Sequence, residues 1–170
     1  FKNALRADRT NREYRREFIL LRRVIQLREN LPTESDNARW EAYARGLAAY
    51  YYDRGLYEEA LKIEQQMYDR LGTSESAAWL AETQLQLGKV AETIELLDNL
   101  PQEKRTQGTE VLLGIALARQ GDTDRAAQLA EDCTDPTGAD PGRLFNIARL
   151  LALTGNPAEA ASALKVSFEK

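Results

Sequence analysis

Any chemistry in this chain would fall to carboxylates, arginines and one thiol, because its 170 residues include no histidine and a single cysteine, Cys133. The commonest general base and the commonest metal ligand are therefore both missing. A lone cysteine forms no internal disulfide, and the redox compartment is not legible from it. Cys133 falls on the inner side near the end of a predicted helix, the place of a small buried residue rather than a nucleophile. Glu58 and Glu59 are adjacent carboxylates, but they stand at a predicted helix start, where they complement the dipole. The acidic stretch with Glu131, Asp132, Asp135 and Asp140 lacks the alternate-residue oxygen ligands of a calcium loop. Neither G-x-G-x-x-G nor G-x-x-x-x-G-K-[ST] occurs. The reading is a protein that is not an enzyme and takes no cofactor and no metal.

The elements that carry these residues follow from a repeated glycine. Helical patterns halt and restart at "DRGLYEEAL" (Gly55), "QLGKVAETI" (Gly88), "RQGDTDRAA" (Gly121) and "LTGNPAEAA" (Gly155), at spacings of 33, 33 and 34 residues. Five residues after each glycine comes a small side chain: Ala60, Thr93, Ala126 and Ala160. Before each lies an apolar–small pair: Leu47-Ala48, Leu80-Ala81, Leu113-Gly114 and Ile147-Ala148. A fixed period of this length marks a solenoid of repeated units. Glycine past a helix end takes the left-handed conformation without a Cβ penalty, and small residues let two helices approach closely. Asn156-Pro157-Ala158-Glu159 reads as a cap, a proline at the first helical position and a carboxylate two residues on. Asp140-Pro141 and Asp122 cap two further helices. The predicted helices are 12–30, 36–54, 57–71, 75–87, 90–99, 104–120, 123–132, 141–154 and 157–168, with breakers at Gly72-Thr73-Ser74, at Pro101 and from Thr134 to Gly142. No strand pattern competes.

This spacing resembles the tetratricopeptide repeat family. The match runs Leu47, Ala48, Tyr51, Gly55, Tyr57 and Ala60 in the first repeat, then Leu80, Ala81, Gly88, Val90 and Thr93 in the second. The third keeps Leu113, Gly114, Gly121 and Ala126, and the last Ala148, Gly155, Ala160 and Leu164. The resemblance implies an all-α, right-handed superhelical solenoid of antiparallel helix pairs. It divides the chain into residues 1–37, a partial repeat plus an irregular basic helix, and 38–170, four helical hairpins. Phe1 and Ala4 fit the closing half of one more repeat, so the chain is expected to be cut from a longer array.

The resemblance also implies an inner, concave surface lined by the first helix of each pair. Its expected members are Arg45, Ala49, Tyr52 and Asp53 from the first repeat, Trp79, Glu82 and Gln86 from the second, Val111, Ile115 and Arg119 from the third, and Phe145, Asn146 and Arg149 from the fourth. Aromatic and arginine anchors in a polar groove are the composition of a protein-recognition surface. Of these, Arg45, Tyr52, Trp79, Glu82, Arg119, Phe145, Asn146 and Arg149 are the candidate partner-binding residues. Family members that hold chaperone tails use a Lys/Asn/Arg clamp; the matching slots here, Arg45, Ala49, Trp79, Gly108 and Leu112, form none, and the next register fails too. Tail binding to Hsp70 or Hsp90 is not expected.

Charge divides the chain. Residues 1–30 hold nine basic and four acidic side chains, within an overall net charge of −4. Helix 12–30 is basic on one side and apolar on the other, with Tyr14, Phe18, Leu21 and Ile25 expected to pack on helix 36–54 and some arginines to pair with Glu13 and Glu17. The acidic remainder repels nucleic acid. No membrane span is present in this segment. Seventeen arginines against six lysines fit a GC-rich bacterial genome, with cytoplasm and periplasm both open. The expected partner is a protein or peptide bound on the concave face, in the setting of a larger bacterial envelope or secretion protein. The alternative is a structural spacer or self-association module that works through its end faces.

Overall fold

The computed structural model describes residues 12–132 and 140–169. Cys133, the loop around it and the half-repeat expected at Phe1 to Asn11 lie outside the described residues. Nine α-helices occupy the described residues: α1 (Arg12–Asn30), α2 (Asn37–Asp53), α3 (Tyr57–Leu71), α4 (Ser74–Gln86), α5 (Val90–Asp98), α6 (Gln107–Gln120), α7 (Thr123–Asp132), α8 (Pro141–Leu153) and α9 (Pro157–Glu169). Short 3-10 turns at Leu31–Thr33 and Gln102–Lys104 are the remaining helical elements described, and there is no strand among them. The chain divides into two compact units after Met67, within α3.

The four repeat glycines turn the chain in the same way. Gly55, Gly88, Gly121 and Gly155 have φ of 69°, 73°, 99° and 84°. After Gly55 the Leu56 amide donates to the carbonyl of Tyr51 at 2.9 Å and Gly55 donates to Tyr52 at 2.9 Å, the paired bonds of a Schellman ending. The long bond recurs from Lys89 to Gln84, Asp122 to Leu117 and Asn156 to Leu151, at 2.9, 2.9 and 2.8 Å. A β-carbon at any of these glycines would meet nothing within 4 Å, so the requirement is conformational, not steric. At the other helix ends Asp36 and Asp140 accept from the amides of Arg39 and Arg143. Thr73 with Ser76, and Thr106 with Thr109, form reciprocal capping boxes. The Asp122 carboxylate accepts from Arg125, as its position before α7 predicts.

In the first unit α1 and α2 run antiparallel. Glu17 near the start of α1 meets Arg54 at the end of α2, and Leu27 faces Gly46. Val24, Leu27 and Leu31 are buried with Trp40, Ala44 and Leu47. The packing stripe therefore differs from the expected one: Ile25 is 54% exposed, and Phe18 and Leu21 are half-buried. The helix is turned so that Val24, Leu27 and Leu31, a quarter-turn or more away around the cylinder, carry the contact.

In the second unit, α4 pairs with α5, α6 with α7 and α8 with α9, while α6 also packs on both α4 and α8. The first helices thus form one layer, and α6 stands at its centre. Every residue from Val111 to Leu117 is buried, and the core joins Leu85, Leu97 and Leu100 to Ile147 and Leu150. The expected helix 104–120 begins later, at Gln107, because Thr106 caps it and residues 102–104 form the separate turn. The small residues sit where predicted: Ala60, Thr93 and Ala126 are wholly buried and Ala160 nearly so.

Candidate functional site: a recognition face on α4, α6 and α8

The second unit brings several of the expected residues together through its layer of first helices. Asn146, one turn after the start of α8, is 8% exposed, and its Nδ2 donates to Glu82 Oε2 on α4 at 3.4 Å. Arg149, three residues on, donates from NH1 to Asn146 Oδ1 at 2.7 Å and stands 3.8 Å from Glu82 Oε1. The arginine side chain retains only 18% of its exposure, so this is a half-desolvated polar link rather than a loose surface pair. Its guanidinium also lies 5.8 Å from the centre of the Phe145 ring, and that ring is 47% exposed. Trp79, one turn before Glu82 on α4, is half-buried. A charged group held in place beside accessible aromatic rings is suited to bind another chain with little ordering of its own.

Arg119 stands at the end of α6. Its NH1 donates to the backbone carbonyl of Leu85 at 2.7 Å, adding a charged donor to the last turn of α4. Part of its role is therefore to tie two neighbouring first helices together. Two expected lining residues do not face a groove. Val111 and Ile115 are fully buried, because α6 is packed by α4, α7 and α8 and has no free inner side at that depth.

The first unit holds Arg45 and Tyr52. Arg45 is exposed, 3.9 Å from Glu41 one turn away. Tyr52 is half-buried, its ring edge-on to Tyr57 across the Gly55 turn at 5.2 Å. Sequence reasoning passed over a second cluster in this unit. Arg54 grips both carboxylate oxygens of Glu17, at 3.1 and 2.8 Å, and stacks 4.7 Å from the Tyr50 ring. The "YYYDR" run from Tyr50 was the available signal, since arginine at i+4 from tyrosine places cation over ring on a helix.

Among the described residues no group of three or more His, Cys, Asp or Glu is placed to hold a metal ion. None of their helices is long and apolar enough to cross a membrane.

The fold and this face define an all-α solenoid of helical hairpins. The family model "Tetratricopeptide repeat" matches residues 108–132 and 144–165, within the third and fourth hairpins. A thermophilic TPR protein from Thermus thermophilus is similar in structure, with 25% identity, a TM-score of 0.56, and coverage of 72% of this chain and 70% of that one. MamA gives 17% identity and a TM-score of 0.57 over 86% of this chain and 85% of its own. YrrB, described as a TPR protein with an unusual peptide-binding site, gives 15% and 0.57 over 99% and 90%. The last two show likeness of fold alone. A bacterial source for the chain fits the Thermus neighbour. No curated protein matches.

Proposed function

We propose that this chain is a non-catalytic scaffold that binds a peptide or protein partner on the inner face of its first helices. The tetratricopeptide fold is that of a protein–protein interaction scaffold, and its members are generally non-catalytic. The observation that carries the finer reading is the Glu82–Asn146–Arg149 link, with the Phe145 ring beside Arg149 and Trp79 one turn from Glu82 along α4. A half-buried guanidinium held in a fixed orientation beside an exposed ring is suited to recognising a carboxylate or carbonyl. The aromatic rings supply apolar area at small entropic cost. Arg119 belongs to the same lining in the third repeat, and Arg45 and Tyr52 hold the corresponding positions in the first. The surrounding charge favours protein over nucleic acid: residues 68–170 hold sixteen acidic and ten basic side chains. An envelope or secretion assembly is the setting we favour.

Capture of a partner by the purified chain, compared with Trp79→Ala and Arg149→Ala, tests this face. Loss of capture in either supports it, and unchanged capture by both argues against it.

A second reading, self-association, draws on the last hairpin, where Phe168 is 80% and Leu153 44% exposed. Light scattering across concentrations separates the two: a self-association module gains mass with concentration, whereas a peptide-binding scaffold does not.

A further inference from the structure

The first unit contains an open cleft of about 490 Å³ along one flank of the α1–α2 pair. That volume lies in the range of sites that take a small ligand or a few side chains, roughly 300–1,000 Å³. Its floor is apolar. Val24 and Leu27 are buried beneath it, Leu20 is 41% exposed into it, and Ala49 is exposed on the α2 side. Gly46 leaves the floor bare, since a β-carbon there would stand 3.2 Å from Leu27 Cδ1.

The rim is charged with opposite signs on opposite helices, Arg23 on α1 and Asp53 on α2. Arg54, the other rim cation, is already engaged by Glu17 and Tyr50, which fixes that wall. Asp53 is the last residue of α2, where the helix dipole disfavours a carboxylate. An added cation at that point removes the mismatch. Ala49 and Asp53 are inner-face positions of the first repeat; α1, which follows no repeat pattern, supplies the opposite wall.

An apolar trough with Arg23 on one rim and Asp53 on the other complements neither a polyanion nor a lipid chain. We infer that this cleft binds a short peptide segment of a partner protein, with a Leu, Ile, Met or Phe anchor flanked by an acidic residue for Arg23 and a basic residue for Asp53. The inference rests on reading the chain as a protein-binding scaffold, and it adds a second docking point with its own recognition chemistry.

The test is selection of a phage-displayed library of random dodecapeptides on the whole chain, followed by fluorescence anisotropy with the enriched peptides. Enriched sequences should share the acid–anchor–base pattern. Arg23→Glu and Asp53→Lys, both at exposed positions, should each weaken binding by about tenfold or more, as expected for a charge facing its partner. Exchanging the peptide's two flanking charges should restore binding to the Arg23→Glu/Asp53→Lys double variant. Gly46→Leu should abolish binding by filling the trough, and Ala49→Glu serves if that variant misfolds. Peptides that lack the pattern, or that bind all these variants unchanged, would overturn the inference. If such peptides lose affinity with Trp79→Ala or Arg149→Ala instead, the α4–α8 face stands and this cleft does not. Enrichment of no peptide would count against both.

Discussion

Leu150 lies directly over Gly114, so closely that a β-carbon at that glycine would stand 2.8 Å from Cδ1 and 2.9 Å from Cδ2 of the leucine. The contact joins α8 to α6 at the centre of the second unit, and it is the tightest of those made by the described glycines. A side chain at residue 114 must push Leu150, itself 1% exposed, into an already filled core. Gly114→Val should cost about 2–3 kcal/mol by overpacking. Gly114→Ala should cost less, because alanine returns about 1 kcal/mol of helix propensity. Urea midpoints at constant m-value measure both.

The turn glycines should respond to a different rule. At Gly121 no atom obstructs a side chain, but φ is 99°. Gly121→Ala should therefore cost about 1–2 kcal/mol through backbone strain alone, and Gly121→Asn distinctly less, since asparagine tolerates left-handed backbone. The same order at Gly55 and Gly155 would show that one turn chemistry serves the whole array, and equal costs for Ala and Asn would show that it does not.

Arg105 closes the connection between α5 and α6. Its Nε donates to the carbonyl of Leu100 at 3.1 Å and its NH2 to that of Asp98 at 2.7 Å, while NH1 stands 3.8 Å from Glu110. Arg105→Ala opens two carbonyls at a helix end and should destabilise by about 1–2 kcal/mol. Arg105→Lys should recover little of that loss, because a single ammonium does not reproduce the planar fork. Thermal unfolding of the three proteins decides it.

Thr106 caps the central helix, giving and receiving bonds with Thr109. Thr106→Ala should cost about 1 kcal/mol and Thr106→Asp close to nothing, as measured by chemical denaturation. Thr106 also explains why the start of α6 was not legible in sequence. The expected start at residue 104 follows the helix-forming Glu-Lys-Arg composition, whereas hydroxyl capping by a second threonine lacks the Glu or Gln that usually marks the box.

Other parts of the architecture were plain in the residues because one physical rule dominated each. Glycine at a 33-residue period fixes four helix ends, and Ala60, Ala126 and their equivalents fix where helices cross. The face of α1 was less legible. Phe18-Leu21-Ile25 and Val24-Leu27-Leu31 are two neighbouring apolar stripes, and only the partner helix decides between them. Val111 and Ile115 misled for a related reason: α6 is packed on so many sides that its sequence carries no polar face at that level. For the proposed recognition face, the slots Glu82, Asn146 and Arg149 followed from the repeat register. Their bonding did not, since 64 positions separate Asn146 from Glu82.

The Glu82–Arg149 link should make binding on this face sensitive to charge as well as shape. Glu82→Gln keeps the volume but removes the anion 3.8 Å from Arg149. It should change affinity for a carboxylate-bearing peptide by a few-fold while leaving the unfolding free energy within about 0.5 kcal/mol, the range of a partly exposed pair. A large stability loss with no change in affinity would make the link purely structural.

The most direct measurement is amide and indole NMR mapping of a selected peptide on the labelled chain. The two indoles serve as paired reporters, Trp79 half-exposed on α4 and Trp40 buried at 6% in the first unit. If α4, α6 and α8 form the recognition face, the Trp79 indole and the amides around Glu82, Phe145 and Arg149 shift on titration while α5, α7 and α9 stay still. Shifts confined to α5, α7 and α9, with Trp79 unmoved, would contradict the account.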